Sequence, residues 1–380
     1  MTLSLFVTKS ALRNKRRTLL TMLGVAVSLG LLTLMMSVWR GFYLDSGSAE
    51  SAQRVITRHK VSLTNFLPSY YAERIRTIPG VVAIVPNSWF GGTYKDDKSG
   101  NFFAQFFTNA VEWPKVYPEY KIDPDQLRAW QRDRAGAIVD DDLAKQYGWK
   151  VGQKIILKRN IYPVDPELTI RGIYHPPEAT KTMYFHTEYV EEAVSWAKGQ
   201  PGTFSIMCAT PEAVSQVSQA VDEMFKNAPA PTKTESEKAF QLGFVNMLGN
   251  VKAFILGIGG AVVFATLLVS ANTMAMAIRE RTREVAVLKI LGFQRFTILA
   301  LFVGEAMFQC IIGGLFGILP ATAMVAFVSS MGGFFAGIKM TPGLFLIAIA
   351  VAALIGFVSA IVPSYNASKL AIVDGLRHIG

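Results

Sequence analysis

Glu280, Arg283 and Glu284 stand close together in one short charged stretch, and a further acid, Glu305, lies alone in an apolar run. The chemistry these positions offer is ionic recognition, because the residue types that catalysis needs are scattered. His59, His175, His186 and His378 have no HExxH or CxxC company, and isolated histidines are usually surface or core residues. Asp140, Asp141 and Asp142 form a run of carboxylates without the alternating ligand spacing and central glycine of a calcium loop. They read instead as the acidic start of a helix closed by Gly148. Gly257-x-Gly259-Gly260 sits in an apolar segment with no strand before it, and GxxxxGK[ST] does not occur. No ATP site is recognisable, and no nucleophile motif, catalytic carboxylate pair or metal cluster stands out. We therefore expect neither an enzyme nor a cofactor-bearing chain. Cys208 lies in a polar region and Cys310 in an apolar one, so a disulfide between them would have to join different phases.

The element that must position the charged stretch runs from Arg279 to Phe293, between two long apolar segments. Arg279, Arg281, Arg283, Lys289 and Arg295 outnumber Glu280 and Glu284, and basic residues in short loops stay on the cytoplasmic side. Val285, Leu288 and Leu291 recur at helical spacing and Gly292 follows as a C′ residue, which predicts a short amphipathic helix. Such a helix lies on the membrane surface or docks into a partner. The plainer alternative is a basic connector that only fixes topology.

Composition points the same way. Of 380 residues, 51% are hydrophobic and 17% charged, an apolar balance that fits a membrane protein better than a soluble one. The net charge of +10 would suit nucleic acid, but its distribution excludes that use. Residues 41–249 carry 23 Lys and Arg against 24 Asp and Glu, whereas the remainder carries 15 against 4. The basic excess is a topology signal, and no nucleic-acid partner is expected.

In chain order, residues 1–18 alternate basic and apolar residues as a cytoplasmic amphipathic segment would. Residues 19–40 are long and apolar enough to span; the run is too long for a cleaved signal peptide and lacks a small-x-small site. Residues 41–249 form a polar extracytoplasmic domain large enough to bury its own core. Within it, 50–86 and 201–228 read as βα-containing, membrane-proximal pieces of one α/β subdomain. In the first, Arg54 to Leu63 and Val81 to Val85 are strand-like and a helix runs from Pro68 to about Thr77. In the second, Thr203 to Ala209 is strand-like, and Thr210-Pro211 serves as N-cap and N1 of a helix through Phe225. Ala228 to Pro231 reads as a stiff linker back to the membrane. The insert at 87–200 carries Trp89, Phe90, Tyr94, Phe102, Phe103, Phe106, Phe107, Trp113, Tyr117 and Tyr120, expected mostly as core.

Residues 250–278 are a second span, in which Gly257, Gly259 and Gly260 are expected to let helices approach and Ser270, Asn272 and Thr273 to bond between helices. A cytoplasmic helix occupies 279–295, a third span 296–328, an outer turn 329–340, a fourth span 341–366 and a cytoplasmic tail 367–380. Glu305 falls two to three turns inside the third span, where an acid is a functional candidate; its plainer role is structural pairing or snorkelling at the interface. The fold class expected is an α-helical membrane protein with four transmembrane helices and a large α+β extracytoplasmic domain between the first and second.

Four phrases carry a family resemblance. IRERTREVAVLKILG (278–292) with Glu305-Ala306 resembles the coupling signature of the MacB/FtsX-like permeases of ABC transporters. SALRNKRRTLLTMLGVAVSLGLL (10–32) is similar to that family's N-terminal opening, and DDLAKQYGWKVGQKIIL (141–157) to a phrase of its extracytoplasmic domain. SYNASKLAIVDGLRHIG (364–380) resembles the closing phrase, with Ile372-Val373-Asp374 where Pro and Glu are usual.

The resemblance implies that Glu280, Arg283, Glu284, Val285 and Leu288 belong to a coupling helix seated in a cytoplasmic ABC ATPase subunit, which would bind the ATP and Mg. It implies a dimer with a second permease copy or a homologous sibling, membrane lipids around the spans, a periplasmic adaptor protein as a further partner, and a bacterial inner-membrane location with both termini cytoplasmic. The function implied is mechanotransmission: ATP-driven motion passes to the outer domain to export or extract an envelope substrate (drug, peptide, lipid or lipoprotein). The alternative is a non-transporting protein of the FtsX type that activates a cell-wall hydrolase.

Overall fold

The computed structural model describes residues 15–44, 48–95, 103–177, 180–247, 249–330, 335 and 338–369. The N-terminal amphipathic segment through residue 14, Phe102, half of the outer turn and the tail from 370 lie outside these. In chain order, α1 (Lys15–Trp39) precedes β1 (Arg54–His59), α2 (Tyr71–Arg76), β2 (Val81–Trp89) and β3 (Ala104–Thr108). Then come α3 (Trp113–Val116), β4 (Lys121–Ile122), α4 (Pro124–Arg132), β5 (Gly136–Asp140), α5 (Asp141–Tyr147), β6 (Lys154–Ile156), β7 (Glu167–His175) and β8 (Thr182–His186). They are followed by α6 (Thr187–Ala193), β9 (Thr203–Cys208), α7 (Ala213–Met224), β10 (Thr232–Ser236) and α8 (Glu237–Met247). The chain closes with α9 (Val251–Glu280), α10 (Thr282–Ile290), α11 (Arg295–Ser330) and α12 (Pro342–Lys369).

The chain divides into two compact units, one holding the long helices and the other residues 45–249. In the first, Thr18–Leu44, α9, α11 and α12 are each long and apolar enough to cross a membrane. Small residues set how closely they pack, but at other positions than expected. Nothing lies within 4 Å of a Cβ built on Gly257 or Gly260, and of the three expected glycines Gly259 alone faces a neighbour, with Leu32 of α1 at an ordinary 3.7 Å. A Cβ on Gly317 would overlap the carbonyl of Ala26, and one on Gly30 would sit 2.9 Å from the Gly317 carbonyl oxygen, so α1 and α11 meet backbone to backbone. Gly356 of α12 brings it against α11 in the same way, with a built Cβ 2.7 Å from Met307 Cα. Ser270 and Ser359 share a hydrogen bond of 3.0 Å between α9 and α12, whereas Thr273 bonds back to Val269 of its own helix and Asn272 is exposed.

The second unit is organised by one ten-stranded sheet in the order β10-β1-β9-β2-β3-β8-β5-β7-β4, with β6 on β7. The two membrane-proximal pieces interlock. β9 pairs antiparallel with both β1 and β2, and β10 joins the free edge of β1, so β10-β1-β9-β2 has the split βαβ arrangement of a ferredoxin-like fold. Alternation along β2 explains its two-faced burial. Ile84 joins Val55, Ile206 and the helix residues Tyr71, Ile75, Val217 and Val221 on one face. Ala83 and Val85 turn to the other face, toward Trp113, Trp130 and Tyr184.

Local boundaries differ from the sequence reading in instructive ways. α7 starts at Ala213 with no side-chain cap, so Thr210-Pro211 forms the turn before the helix rather than its first residues. The segment after Pro231 does not run straight to the membrane; it forms β10, pairing from Thr232 to Ser236 with β1. The insert is not a separate sheet, because β3 pairs with β2 and β8 with β3. Phe90, Phe103, Phe107, Trp113 and Tyr117 are buried as core. Asp140 caps α5 through Leu143 N at 2.7 Å, and Gly148 ends it at φ 67°. The other oxygen of Asp140 accepts from Thr180 N at 2.9 Å and Lys181 N at 2.5 Å, tying the segment before β8 to the same residue.

Candidate coupling site

α10 is nine residues between two spanning helices, and its limits follow from its ends. Leu291 closes it, Gly292 takes φ 86°, and the amides of Gly292 and Phe293 donate back to Lys289 and Leu288 at 3.1 and 3.0 Å. That pairing is a Schellman motif, which needs a residue at ease with positive φ at C′.

The start of α10 is locked by Arg281. Its Nε donates to Glu284 Oε2 at 2.8 Å, one Nη donates to Glu305 Oε2 at 2.7 Å, and the guanidinium lies 5.3 Å from the Phe302 ring centroid. Burial by itself would lower the Arg281 pKa, but Glu305 and then Glu284 outweigh it and hold it above the ordinary value, so the group stays charged. Glu305 is buried in α11 and finds its cation on the connecting loop. Its structural pairing is thereby identified.

The two faces of α10 then separate. Val285 and Ala286 are 1% and 3% exposed, and Val285 packs with Ile278, Ile298, Phe302 and Ala360, with Leu288 partly buried against them. Val285 therefore faces its own helical bundle and not outward, and Glu284 is engaged by Arg281. Glu280 and Arg283 are exposed. Val287, Ile290 and Leu291 are 45%, 58% and 69% exposed, and with Arg283 they fall at i, i+4, i+7 and i+8 along one face. Phe293 and Phe296 extend the apolar exposure beyond the helix. Sequence reasoning missed Arg281 as the hub and the Val287–Ile290–Leu291 stripe. The signals were the i, i+3 spacing of Arg281 and Glu284, and three apolar residues beside Gly292 on the face opposite Val285.

Among the described residues no group of His, Cys, Asp or Glu could hold a metal ion, and Cys208 and Cys310 are both free and buried. What the site offers is a short helix fixed on one face and apolar on the other. Four helices long and apolar enough to span, a large sheet domain between the first and second, and this helix between the second and third define a polytopic membrane protein with one large domain outside its helices.

Comparison with known proteins gives the class a family. Residues 18–224 match the MacB-like periplasmic core domain and residues 256–372 the FtsX-like permease C-terminal domain. The chain belongs to the MacB/FtsX-like permease family of ABC transporters. An uncharacterized ABC transporter permease of Methanocaldococcus jannaschii is 22% identical, over 98% of this chain and 96% of that one. The pyoverdine export ATP-binding/permease protein PvdT of Pseudomonas fluorescens is 25% identical over 80% of this chain, which spans 49% of PvdT. The periplasmic region of MacB from Actinobacillus actinomycetemcomitans superimposes at a TM-score of 0.37 with 9% identity, covering 55% of this chain and 96% of that region.

Proposed function

We propose that this chain is the membrane-spanning part of a MacB-like ABC export system, driven by a cytoplasmic ATPase that docks on α10. The observation that carries the reading is the opposition of the two faces of α10. Arg281 and Val285 fasten it to the spanning helices, while Val287, Ile290 and Leu291 are left outward beside Arg283. A helix fastened in this way moves as a body with the spans it is packed on, so force applied to its outer face passes into them. The apolar stripe supplies contact area and Glu280 and Arg283 supply register, the usual division of labour at an interface.

On this reading α10 and both termini are cytoplasmic, which the basic excess of the membrane segments favours, and residues 45–249 are outside. The partner ATPase carries ATP and Mg, a second permease copy or sibling completes the transporter, and an adaptor protein receives the substrate. The export named for PvdT supports export as the class, and the substrate we propose is an envelope compound: a drug, peptide, lipid or lipoprotein. ATP can act at the outer domain only if its nucleotide states bind the permease conformations differently.

The test is co-purification from native membranes followed by reconstitution with the captured ATPase. The wild type is expected to hold the ATPase and to hydrolyse ATP faster when a transported compound is added. Ile290→Asp and Leu291→Asp should insert normally yet lose the ATPase. Wild-type complex yield and hydrolysis in both variants would remove the coupling assignment. Recovery of a cell-wall hydrolase in place of an adaptor would replace export with FtsX-type signalling.

A further inference from the structure

Arg54, the first residue of β1, is 1% exposed, a rare position for an arginine. Three of its nitrogens are used, one by the start of α8 and two by the insert. Nε donates to Glu237 Oε2 at 2.8 Å, one Nη to the Val116 carbonyl at 2.7 Å, and the other to Glu119 Oε1 at 2.5 Å. The guanidinium also lies 4.4 Å from the Tyr117 ring centroid. Tyr117 in turn donates to Ser205 of β9 at 3.0 Å and accepts from Asn87 of β2 at 3.1 Å.

The partners are far apart in sequence and special in position. β1 is the first strand after α1, Glu237 begins α8, the last helix before α9, and Val116 to Glu119 belong to the insert between β2 and β9. One side chain thus joins the segment leaving the first spanning helix, the segment leading into the second, and the inserted region. Only a planar fork with several donors can do this; a lysine ammonium is a point charge without that reach.

The joint is also incomplete. Two carboxylates share one guanidinium, and Glu119 Oε2 is buried with no hydrogen-bond partner among the described residues. A buried acceptor left unpaired carries a desolvation cost, and an under-satisfied polar cluster is a place where a second arrangement costs little more than the first.

We propose that Arg54 is a conformational latch that makes α8, the start of β1 and the 113–122 region of the insert open and close as one unit. It rests on the reading of the chain as a mechanotransmitting permease and states where in the outer domain the motion is gathered. When the membrane segments pull α8 away from β1, the guanidinium loses Glu237 and its grip on Glu119 and Val116 loosens with it. The insert is then released by a change made at the C-terminal end of the domain's sequence.

Hydrogen exchange on the full chain in lipid nanodiscs tests this without any partner. Glu119→Gln is expected to speed exchange of the 237–247 amides about tenfold or more, because the Arg54 guanidinium ties Glu119 to that helix. Glu237→Gln should do the same to residues 113–122, and Arg54→Lys to both, with β5 and β8 unchanged. If Arg54→Lys fails to fold, the two glutamine variants decide alone. Loosening confined to each variant's own segment, no loosening, or a uniform rise through the whole sheet would overturn the latch. A wild-type chain that captures no ATPase but shows the cross-loosening would remove the proposed function and leave the latch standing.

Discussion

Arg281 shows how a single cation can organise a site whose acids attract attention first. Glu284 and Glu305 both spend an oxygen on it, so replacing Glu284 by Lys would set a second cation against Arg281 inside the chain before any partner is involved. Breaking a buried pair by removing one partner costs about 3–5 kcal/mol, and a half-exposed partner costs less. Loss of stability should therefore rank Arg281→Ala above Glu305→Gln above Glu284→Gln, read as the midpoint of thermal unfolding in detergent. Equal midpoints for all three would mean that the triad does not hold α10. A second residue-scale expectation concerns Cys208, whose thiol burial pushes up to about 11. Burial thus keeps the group as the unreactive thiol at pH 8. In a Cys310→Ser background the native protein should resist thiol reagents at pH 8 and react on unfolding; rapid labelling of the folded chain would contradict the burial of β9.

At the scale of elements, α10 is defined by what each face touches rather than by its amphipathicity, which is weak because apolar residues lie on both sides. Val285→Ala removes contacts among Ile278, Ile298 and Phe302 and should cost about 1–3 kcal/mol of stability. Val287→Ala, two residues on and 45% exposed, should leave stability within about 0.5 kcal/mol and act on ATPase capture instead. Unfolding and capture measured on the same pair separate the inner face from the outer. If both substitutions destabilise equally, the division of faces is wrong.

At the scale of the molecule, the charge asymmetry and the four spans make one topology consistent. A cysteine placed at Lys198 should label from outside intact cells, and one at Arg283 only after the membrane is opened. External labelling at Arg283 would invert the arrangement. Residues 45–249 form a compact unit around one continuous sheet, so this piece, cut free of the spanning helices, should be soluble and unfold cooperatively. An excised piece that stays disordered would show that the sheet depends on the helices.

The four spans, the short helix at 282–290 and the βα pieces around 54–89 and 203–224 were readable from sequence because each is dictated by local properties. An apolar run of twenty residues has few uses outside a bilayer, and alternation or a 3.6-residue period is written in neighbouring side chains. The family phrases implied the coupling role, but not which face of the helix serves it. β10 was missed because Thr232 to Ser236 is polar and becomes a strand only through its register with β1. The interleaving of β9 between β1 and β2, the docking of α1 on Gly317 rather than of any helix on Gly257, and the partners of Arg281 and Arg54 were equally hidden. Each depends on groups many residues apart meeting in space, where burial forces a charge or a carbonyl to find whichever partner the folded chain brings to it.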